Sequence, residues 1–206
     1  MTLWYLARAT GLVALIAFTV STMLGALAST AHGRKSTTQL DRRFLQQMAH
    51  RSAAVTGLVM LLAHTTFIVV DSFVNVSVSG ALVPFTAGYR PLAVGLGTLA
   101  VYSIVSVAVS GAMRGRLATS DRAARRWRAV HLLAYVGWAL AMGHGILAGT
   151  DTGQWWSTAI YVVCGAAVAV AASLRLRSEI LRRSHGMGAA RARLRESSAP
   201  RSSALT

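Results

Sequence analysis

Five long stretches without a charged residue constrain the fold of this chain more than any other feature. They cover residues 9–31, 52–70, 91–113, 129–150 and 154–174. Each has about 19 to 23 residues, the length that a helix needs to cross about 30 Å of hydrocarbon. Only 13% of the 206 residues are charged, against about 25% in soluble domains. We therefore predict an all-α, polytopic membrane helix bundle with about five transmembrane helices.

Basic residues lie on alternate sides of the predicted membrane. They follow the first and third stretches and fill the tail, whereas the loop at residues 71–90 holds one arginine, Arg90, and the loop at residues 151–153 holds none. This positive-inside pattern predicts an extracytoplasmic N-terminus, a cytoplasmic C-terminus and a multi-pass location in the plasma membrane. The basic residues that give the formal charge of +15 are therefore expected to face membrane lipid headgroups. No nucleic-acid partner is expected. We expect a membrane domain at residues 1–175 and a basic, disordered cytoplasmic tail at residues 176–206.

Histidines lie within the predicted spans or at their edges. All six acidic residues lie outside the spans or at their edges, and the one lysine, Lys35, lies in a loop. The chain therefore offers no carboxylate at membrane depth, which a proton-coupled pump usually needs, and no lysine for a retinal Schiff base. Four of the six histidines instead form two pairs on two helices, His50 with His64 and His131 with His144.

The spacing of these histidines predicts two sites at different membrane depths. Fourteen residues separate His50 and His64, so they lie about 21 Å apart along a helix and within about 40° around it. The second and fourth helices run in the same direction, which puts His50 level with His131 on the inner side and His64 level with His144 on the outer side. Two imidazoles that face each other across a gap between helices suit a six-coordinate haem iron. We therefore expect two haem b groups, the inner iron on the first pair and the outer iron on the second.

The carboxylates of a haem need cationic partners near the membrane surface. Arg51 and Arg128 stand at the level of the inner pair, and Arg8 and Arg90 stand at the level of the outer pair. These four arginines are the candidate partners of the propionates, and snorkelling to lipid phosphates is the competing interpretation. Trp127 is expected in the interfacial aromatic belt.

The second pair has a shorter spacing than the first. Thirteen residues separate His131 and His144, which leaves their side chains about 140° apart on an ideal helix. Either the helix is overwound or distorted, for which Gly137 and Gly143 are candidate positions, or the two haems are rotated about the bundle axis. A zinc site is a weaker interpretation, because zinc usually takes further Cys, carboxylate or His ligands.

A longer string around the second pair resembles a known family. The string RRWRAVHLLAYVGWALAMGHG at residues 125–145 is similar to the W-R-x-x-H-x-x-x-Y signature of bacterial members of the ferric reductase-like transmembrane domain family. That family provides the membrane part of eukaryotic ferric reductases and NADPH oxidases, and includes the haem-binding subunit of the periplasmic methionine sulfoxide reductase system. WYLARATGLVAL at residues 4–15 and LVPFTAGYRPLAVGLGTLA at residues 82–100 also look like short members of this group. The resemblance covers residues 3–175.

The resemblance implies two b-type haems in series, held by the same four histidines. Its larger members carry a flavin and NADPH domain, but no Gly-rich βαβ fingerprint occurs in these 206 residues. We therefore expect a separate electron-donor flavoprotein or quinol, and an extracytoplasmic redox acceptor that docks on residues 71–90. FMN or a quinone is an additional candidate cofactor. The prediction is a di-haem b-type membrane cytochrome, an oxidoreductase subunit that moves single electrons across the membrane.

Three alternatives stay open at this point. A histidine-dependent metal or proton transporter without haem would be colourless, and its flux would change with pH near the imidazole range. A structural subunit with idle haem sites would tolerate loss of any one histidine. The third alternative is a quinol-type di-haem cytochrome b of unrelated fold, which histidine pairs alone do not distinguish from the ferric reductase-like family.

Overall fold

We describe the fold from a computed structural model that covers residues 2–28, 37–71 and 76–198, with only the backbone described after Ser184 apart from Met187. Within these ranges the chain is all-helical. The helices are α1 (Thr2–Ala28), α2 (Thr37–Val70), α3 (Val78–Leu82), α4 (Pro91–Ala112), α5 (Arg114–Leu117), α6 (Asp121–His131), α7 (Leu133–Ala148) and α8 (Trp155–Ser198).

Five helical segments of the described chain are long and apolar enough to cross a membrane. They are α1, α2, α4, the α6–α7 segment Asp121–Ala148, and the Trp155–Ser184 part of α8. A polar backbone can cross hydrocarbon as a helix because each N–H and C=O group is bonded within the segment. The prediction of an all-α, multi-pass membrane protein with five spans is confirmed.

Two of the helices extend well beyond the uncharged stretches. Helix α2 begins at Thr37, and its polar first part is rich in Gln, Arg, Leu and Met, which favour helix. Helix α8 continues to Ser198 through most of the segment for which the sequence predicts disorder. Its last turns are rich in Ala, Arg and Leu, which also favour helix. Residues 199–206 lie outside the described residues.

The long helices pack as two pairs, α1 along α2 and α4 along α7, and α1 also contacts α7 and α8. Glycines permit the close contacts: a Cβ on Gly57 would lie 2.6 Å from Phe18 Cε1, and one on Gly137 would lie 3.0 Å from Ile104. Small residues commonly serve this purpose between membrane helices. In the described residues α2 makes no comparable contact with α6 or α7, so a gap separates the two histidine-bearing helices.

The fourth span is broken at Leu132, one residue after His131. The Leu132 N–H bonds both Arg128 O and Ala129 O, and Tyr135 N–H bonds Leu132 O. Bonds to the third preceding carbonyl are those of a tighter 3₁₀ turn, which turns the chain further per residue. The sequence analysis offers two explanations for the shorter histidine spacing, a distorted helix and a rotation of the haems. The structure shows a local overwinding of the helix. Its position is Leu132 and not Gly137 or Gly143, which lie within the continuous α7.

Residues 76–90 form a cap over one end of the bundle. Ser77 caps α3 by accepting the Gly80 N–H, and Thr98 Oγ1 on α4 donates to Ala81 O at 2.8 Å. Val76 and Ala87 are buried against Trp4, Ile68 and Tyr89. The predicted docking loop is therefore packed onto the helices over its described part, and residues 72–75 of that loop lie outside the described residues.

Candidate functional site

The gap between α2 and the α6–α7 segment holds two pairs of histidines. In each pair, a ring on α2 faces a ring on the α6–α7 segment. The ring centres of His64 and His144 are 6.0 Å apart, with an angle of 79° between the ring planes. The ring centres of His50 and His131 are 6.3 Å apart, with an angle of 65°. The structure thus brings together the same residues that the sequence pairs, at two levels of the bundle.

These separations suit two imidazoles on opposite sides of one metal ion. A metal–imidazole bond is about 2.1 Å long, and with roughly 1.1 Å from nitrogen to ring centre the two centres come roughly 6.4 Å apart. The observed 6.0 and 6.3 Å are close to that value. A direct hydrogen bond between the rings is not found at either pair among the described residues.

Three of the four imidazoles donate their Nδ1–H group to a backbone carbonyl on a neighbouring helix. His64 Nδ1 lies 2.7 Å from Ala7 O, His144 Nδ1 lies 2.8 Å from Ala93 O, and His50 Nδ1 lies 2.8 Å from Ser21 O. Because a carbonyl oxygen can only accept, Nδ1 carries the proton and Nε2 keeps its lone pair. A histidine that binds a metal through one nitrogen almost always donates its other N–H in this way.

A glycine stands four residues after each accepting carbonyl. A Cβ on Gly11 would lie 2.9 Å from His64 Nδ1, one on Gly97 would lie 2.7 Å from His144 Nδ1, and one on Gly25 would lie 3.2 Å from His50 Cε1. The physical reason is that every Cβ of a helix tilts toward the N-terminus and covers the turn before it. Only a residue without Cβ lets the imidazole ring approach the carbonyl.

The glycines of α1 and α4 recur at the same interval as His50 and His64, a regularity that our sequence analysis missed. Gly11 and Gly25 are fourteen residues apart, as are Gly97 and Gly111. Each of α1 and α4 therefore carries two small positions one histidine interval apart, facing the histidines of α2 and of α6–α7 respectively. A search for glycine pairs at the interval of His50 and His64 would have found them.

His131 differs from the other three histidines. Its Nδ1 is buried and has no hydrogen-bond partner among the described residues. The equivalent carbonyl on α4 is Val107 O, fourteen residues after Ala93 O, and it accepts the Ser110 hydroxyl at 2.8 Å. A Cβ on Gly111 would lie 3.6 Å from His131 Cε1, an ordinary contact, so this ring lies less tightly against α4.

A cavity adjoins the His64–His144 pair. Its open space is about 1410 Å³, including the part that is open to the surroundings. All five long helices and the cap segment at residues 76–90 contribute to its wall, which is mainly apolar. Its polar side chains include Arg8, Asp151 and Tyr161. Such a wall suits the apolar faces of a macrocycle with a few charged groups at one edge.

The two arginines predicted for this pair have different surroundings. Arg8 lines the cavity and forms an ion pair with Asp151 in the loop between α7 and α8. Arg90 donates to Leu147 O at 2.8 Å at the C-terminal end of α7, where a cation is favoured by the helix dipole. Arg8 is therefore placed beside the cavity, whereas Arg90 caps a helix.

The two arginines predicted for the other pair, Arg51 and Arg128, are both exposed. Two arginines that the sequence analysis did not name lie around His131 instead. Arg114 Cζ lies 5.0 Å from the centre of the Trp127 ring, and Arg175 Cζ lies 6.0 Å from that of Tyr135, whose hydroxyl it also contacts. Both guanidinium groups are within electrostatic range of His131. Their place depends on tertiary packing, so the sequence offers no local signal for them.

The donor sets are two separate histidine pairs. No group of three or more His, Cys, Asp or Glu side chains that could hold a metal ion is found among the described residues. Two imidazoles would be enough to hold a haem iron, whereas a structural zinc ion takes four ligands. The donor set of each pair therefore fits a haem iron, and the cavity lies beside the His64–His144 pair.

Comparisons with protein-family models, with curated proteins and with solved structures give no match to this chain. The family resemblance of the sequence strings therefore stays a prediction.

Proposed function

We propose that this protein is a di-haem b-type membrane cytochrome that moves single electrons across the bacterial plasma membrane. Its relationship to the ferric reductase-like family and its orientation, with the His50–His131 pair on the cytoplasmic side, are parts of the same proposal. The electron donor is a separate flavoprotein or a quinol, and the acceptor lies outside the cytoplasmic membrane.

One observation carries this proposal. Each histidine pair has its rings 6.0 to 6.3 Å apart across a gap between two helices, and three of the four rings donate Nδ1–H to a backbone carbonyl. The Nδ1 bonds alone would also suit histidines that only join two membrane helices. What favours a metal is the distance between the two rings of each pair, together with four Nε2 atoms for which no hydrogen bond is found within the described residues.

The chain's own residues would hold the group and control its surroundings. His50 with His131, and His64 with His144, would each hold one haem iron, and the carbonyl-bound Nδ1–H groups of three of them would fix ring orientation and raise ligand basicity. Haem, when bound, supplies an iron that accepts and gives up one electron. Because two histidines would hold each iron, the group would carry electrons and would not bind oxygen directly.

The interval between the two pairs suits transfer across a bilayer. The fourteen residues from His50 to His64 span about 21 Å of helix, most of the about 30 Å of hydrocarbon. Between the two levels lies an apolar cluster, in which Phe18 and Ile104 are buried and Trp138 packs against them. An apolar interior disfavours the passage of ions, as electron transfer without ion leakage requires.

The experiment is transfer across a sealed vesicle. Purified protein is reconstituted into vesicles that contain trapped ferricyanide, and dithionite is added outside. We expect the trapped ferricyanide to be reduced at a rate proportional to the amount of protein, and His64→Ala or His144→Ala vesicles to fall to the rate of protein-free vesicles. A haem-loaded wild-type protein with no transfer above that rate would contradict the proposal. A colourless protein with pH-dependent metal or proton flux would favour the transporter.

A further inference from the structure

We infer that Trp127 is the positioning residue of His131, in place of the hydrogen bond that orients the other three imidazoles. The inference deepens the proposed function, on which its haem-dependent part rests. It assigns to Trp127 a role in orienting His131, where the sequence analysis favours an interfacial aromatic residue.

The indole of Trp127 lies flat on the imidazole of His131. The two ring centres are 4.9 Å apart, and the planes are inclined by 21°. Trp127 precedes His131 by one helical turn on α6, so the two side chains lie on the same face of that helix. The stack restricts rotation of the imidazole about its Cβ–Cγ bond because only a ring parallel to the indole keeps the contact.

Trp127 is itself held in place from two sides. Its indole Nε1–H donates to Ser110 O on α4 at 2.9 Å, and the guanidinium of Arg114 lies 5.0 Å from the ring centre. The first contact fixes the indole against the helix that also packs on α7, and the second is a cation–π contact. The stacking partner of His131 is therefore anchored to α4 through a backbone carbonyl.

The other three imidazoles are anchored to a backbone carbonyl directly. His50, His64 and His144 each donate Nδ1–H to a carbonyl on α1 or α4. For His131, the equivalent Val107 O accepts the Ser110 hydroxyl instead. The shorter histidine spacing and the turn at Leu132 give His131 a different approach to α4, and the indole links the two by stacking on His131 and bonding to Ser110 O.

A consequence is that the two histidine pairs would hold their haem irons with different strength. Both rings of the His64–His144 pair are fixed by hydrogen bonds, which also raise the basicity of the ligating nitrogen. In the His50–His131 pair only His50 has that bond, and His131 depends on stacking. We therefore expect His131 to be the axial ligand that is displaced most readily.

The haem-dependent test compares Trp127→Leu with Trp127→Phe. Loss of a group that orients a metal ligand typically weakens binding roughly 10- to 100-fold. We expect Trp127→Leu to lose haem at the His50–His131 pair by about that factor and to let carbon monoxide bind the haem that remains there. Trp127→Phe, which keeps a flat ring, should retain most of the wild-type behaviour. Trp155→Leu, which changes a residue that is 82% exposed, is the matched control.

The His64–His144 haem is the internal control for folding. If Trp127→Leu keeps that haem and loses the other, the bundle is folded and the effect is local. If Trp127→Leu binds both haems as tightly as the wild type and excludes carbon monoxide, the inference is wrong.

The haem-free test uses proton NMR of the apoprotein. A ring stacked on an indole feels its ring current, so the His131 Cε1 proton should shift in Trp127→Leu, while the His144 signal stays unchanged. A wild-type protein that takes up no haem contradicts the proposed function but leaves this readout intact. An unchanged His131 signal contradicts the inference.

Discussion

The imidazole of His64 faces that of His144 at 6.0 Å, and each ring donates Nδ1–H to a helix on its far side. His64 bonds to α1 and His144 bonds to α4. Each ring is thus held by a neighbouring helix through its Nδ1–H group. The proposed haem iron, held between the two rings, would fit both this distance and this donor set.

The first prediction concerns which histidines act together. His64→Ala and His144→Ala should each remove the same haem, leaving about one per chain, because bis-imidazole ligation of one iron needs both rings. His50→Ala and His131→Ala should each remove the other haem. Redox titration of the purified variants measures which of the two components is lost. The pairing would be wrong if His64→Ala and His131→Ala abolished the same component.

The second prediction concerns the glycines that admit the histidine rings. In Gly97→Ala the new Cβ would lie 2.7 Å from His144 Nδ1, so the ring must move off Ala93 O. We expect haem affinity at that pair to fall roughly 10- to 100-fold, as for loss of an orienting partner. Haem per chain at increasing haem concentration measures this.

A glycine in open space is the matched control. Gly165 lies in α8 with no atom within 4 Å of an added Cβ. Gly165→Ala should leave haem binding unchanged and should stabilise the helix by up to about 1 kcal/mol. Equal haem loss in both variants would show that the effect is a general one on helix packing.

The third prediction concerns the ion pair between Arg8 and Asp151. Their side chains are only 23% and 22% exposed, so removal of one partner leaves a poorly solvated charge. Asp151→Asn should lower the free energy of unfolding by about 1.5–3 kcal/mol, the range for hydrogen bonds to charged groups. Thermal unfolding in detergent measures this, with Asp41→Asn at an exposed position as the control. A double variant, Arg8→Asp with Asp151→Arg, should recover part of the loss, and no recovery would argue against a direct pair.

The fourth prediction concerns orientation. In a Cys164→Ala background, single cysteines replace two exposed threonines, Thr86 in the cap and Thr119 before α6. A membrane-impermeant maleimide should label Thr86→Cys in intact cells and should label Thr119→Cys only after the membrane is broken, as the positive-inside rule requires. The reverse pattern would invert the proposed direction of electron transfer.

Much of the fold and of the candidate site follows from the sequence. The uncharged stretches predict the five spans because hydrocarbon excludes charge, and the regular interval from His50 to His64 predicts two levels. The ends of α2 and α8 are missed because polar residues with high helix propensity continue a helix after the apolar stretch ends.

Other features depend on contacts between distant parts of the chain. The turn at Leu132 has no glycine or proline to mark it, and the sequence analysis offers Gly137 and Gly143 only as candidate positions for a distortion. Arg114 and Arg175 reach the surroundings of His131 only because α5 and α8 pack there. The stack of Trp127 on His131 could have been predicted from the sequence, since the two residues are four positions apart. A tryptophan of the interfacial aromatic belt, however, has the same sequence signal.

The most direct test of the central claim is haem content. The protein is purified in detergent from haem-replete cells, its reduced-minus-oxidised absorbance spectrum is recorded, and haem per chain is quantified. We predict a low-spin b-type spectrum with about two haems per chain, one for each pair of trans imidazoles. A colourless protein, from cells that load other haem proteins well, would contradict the account.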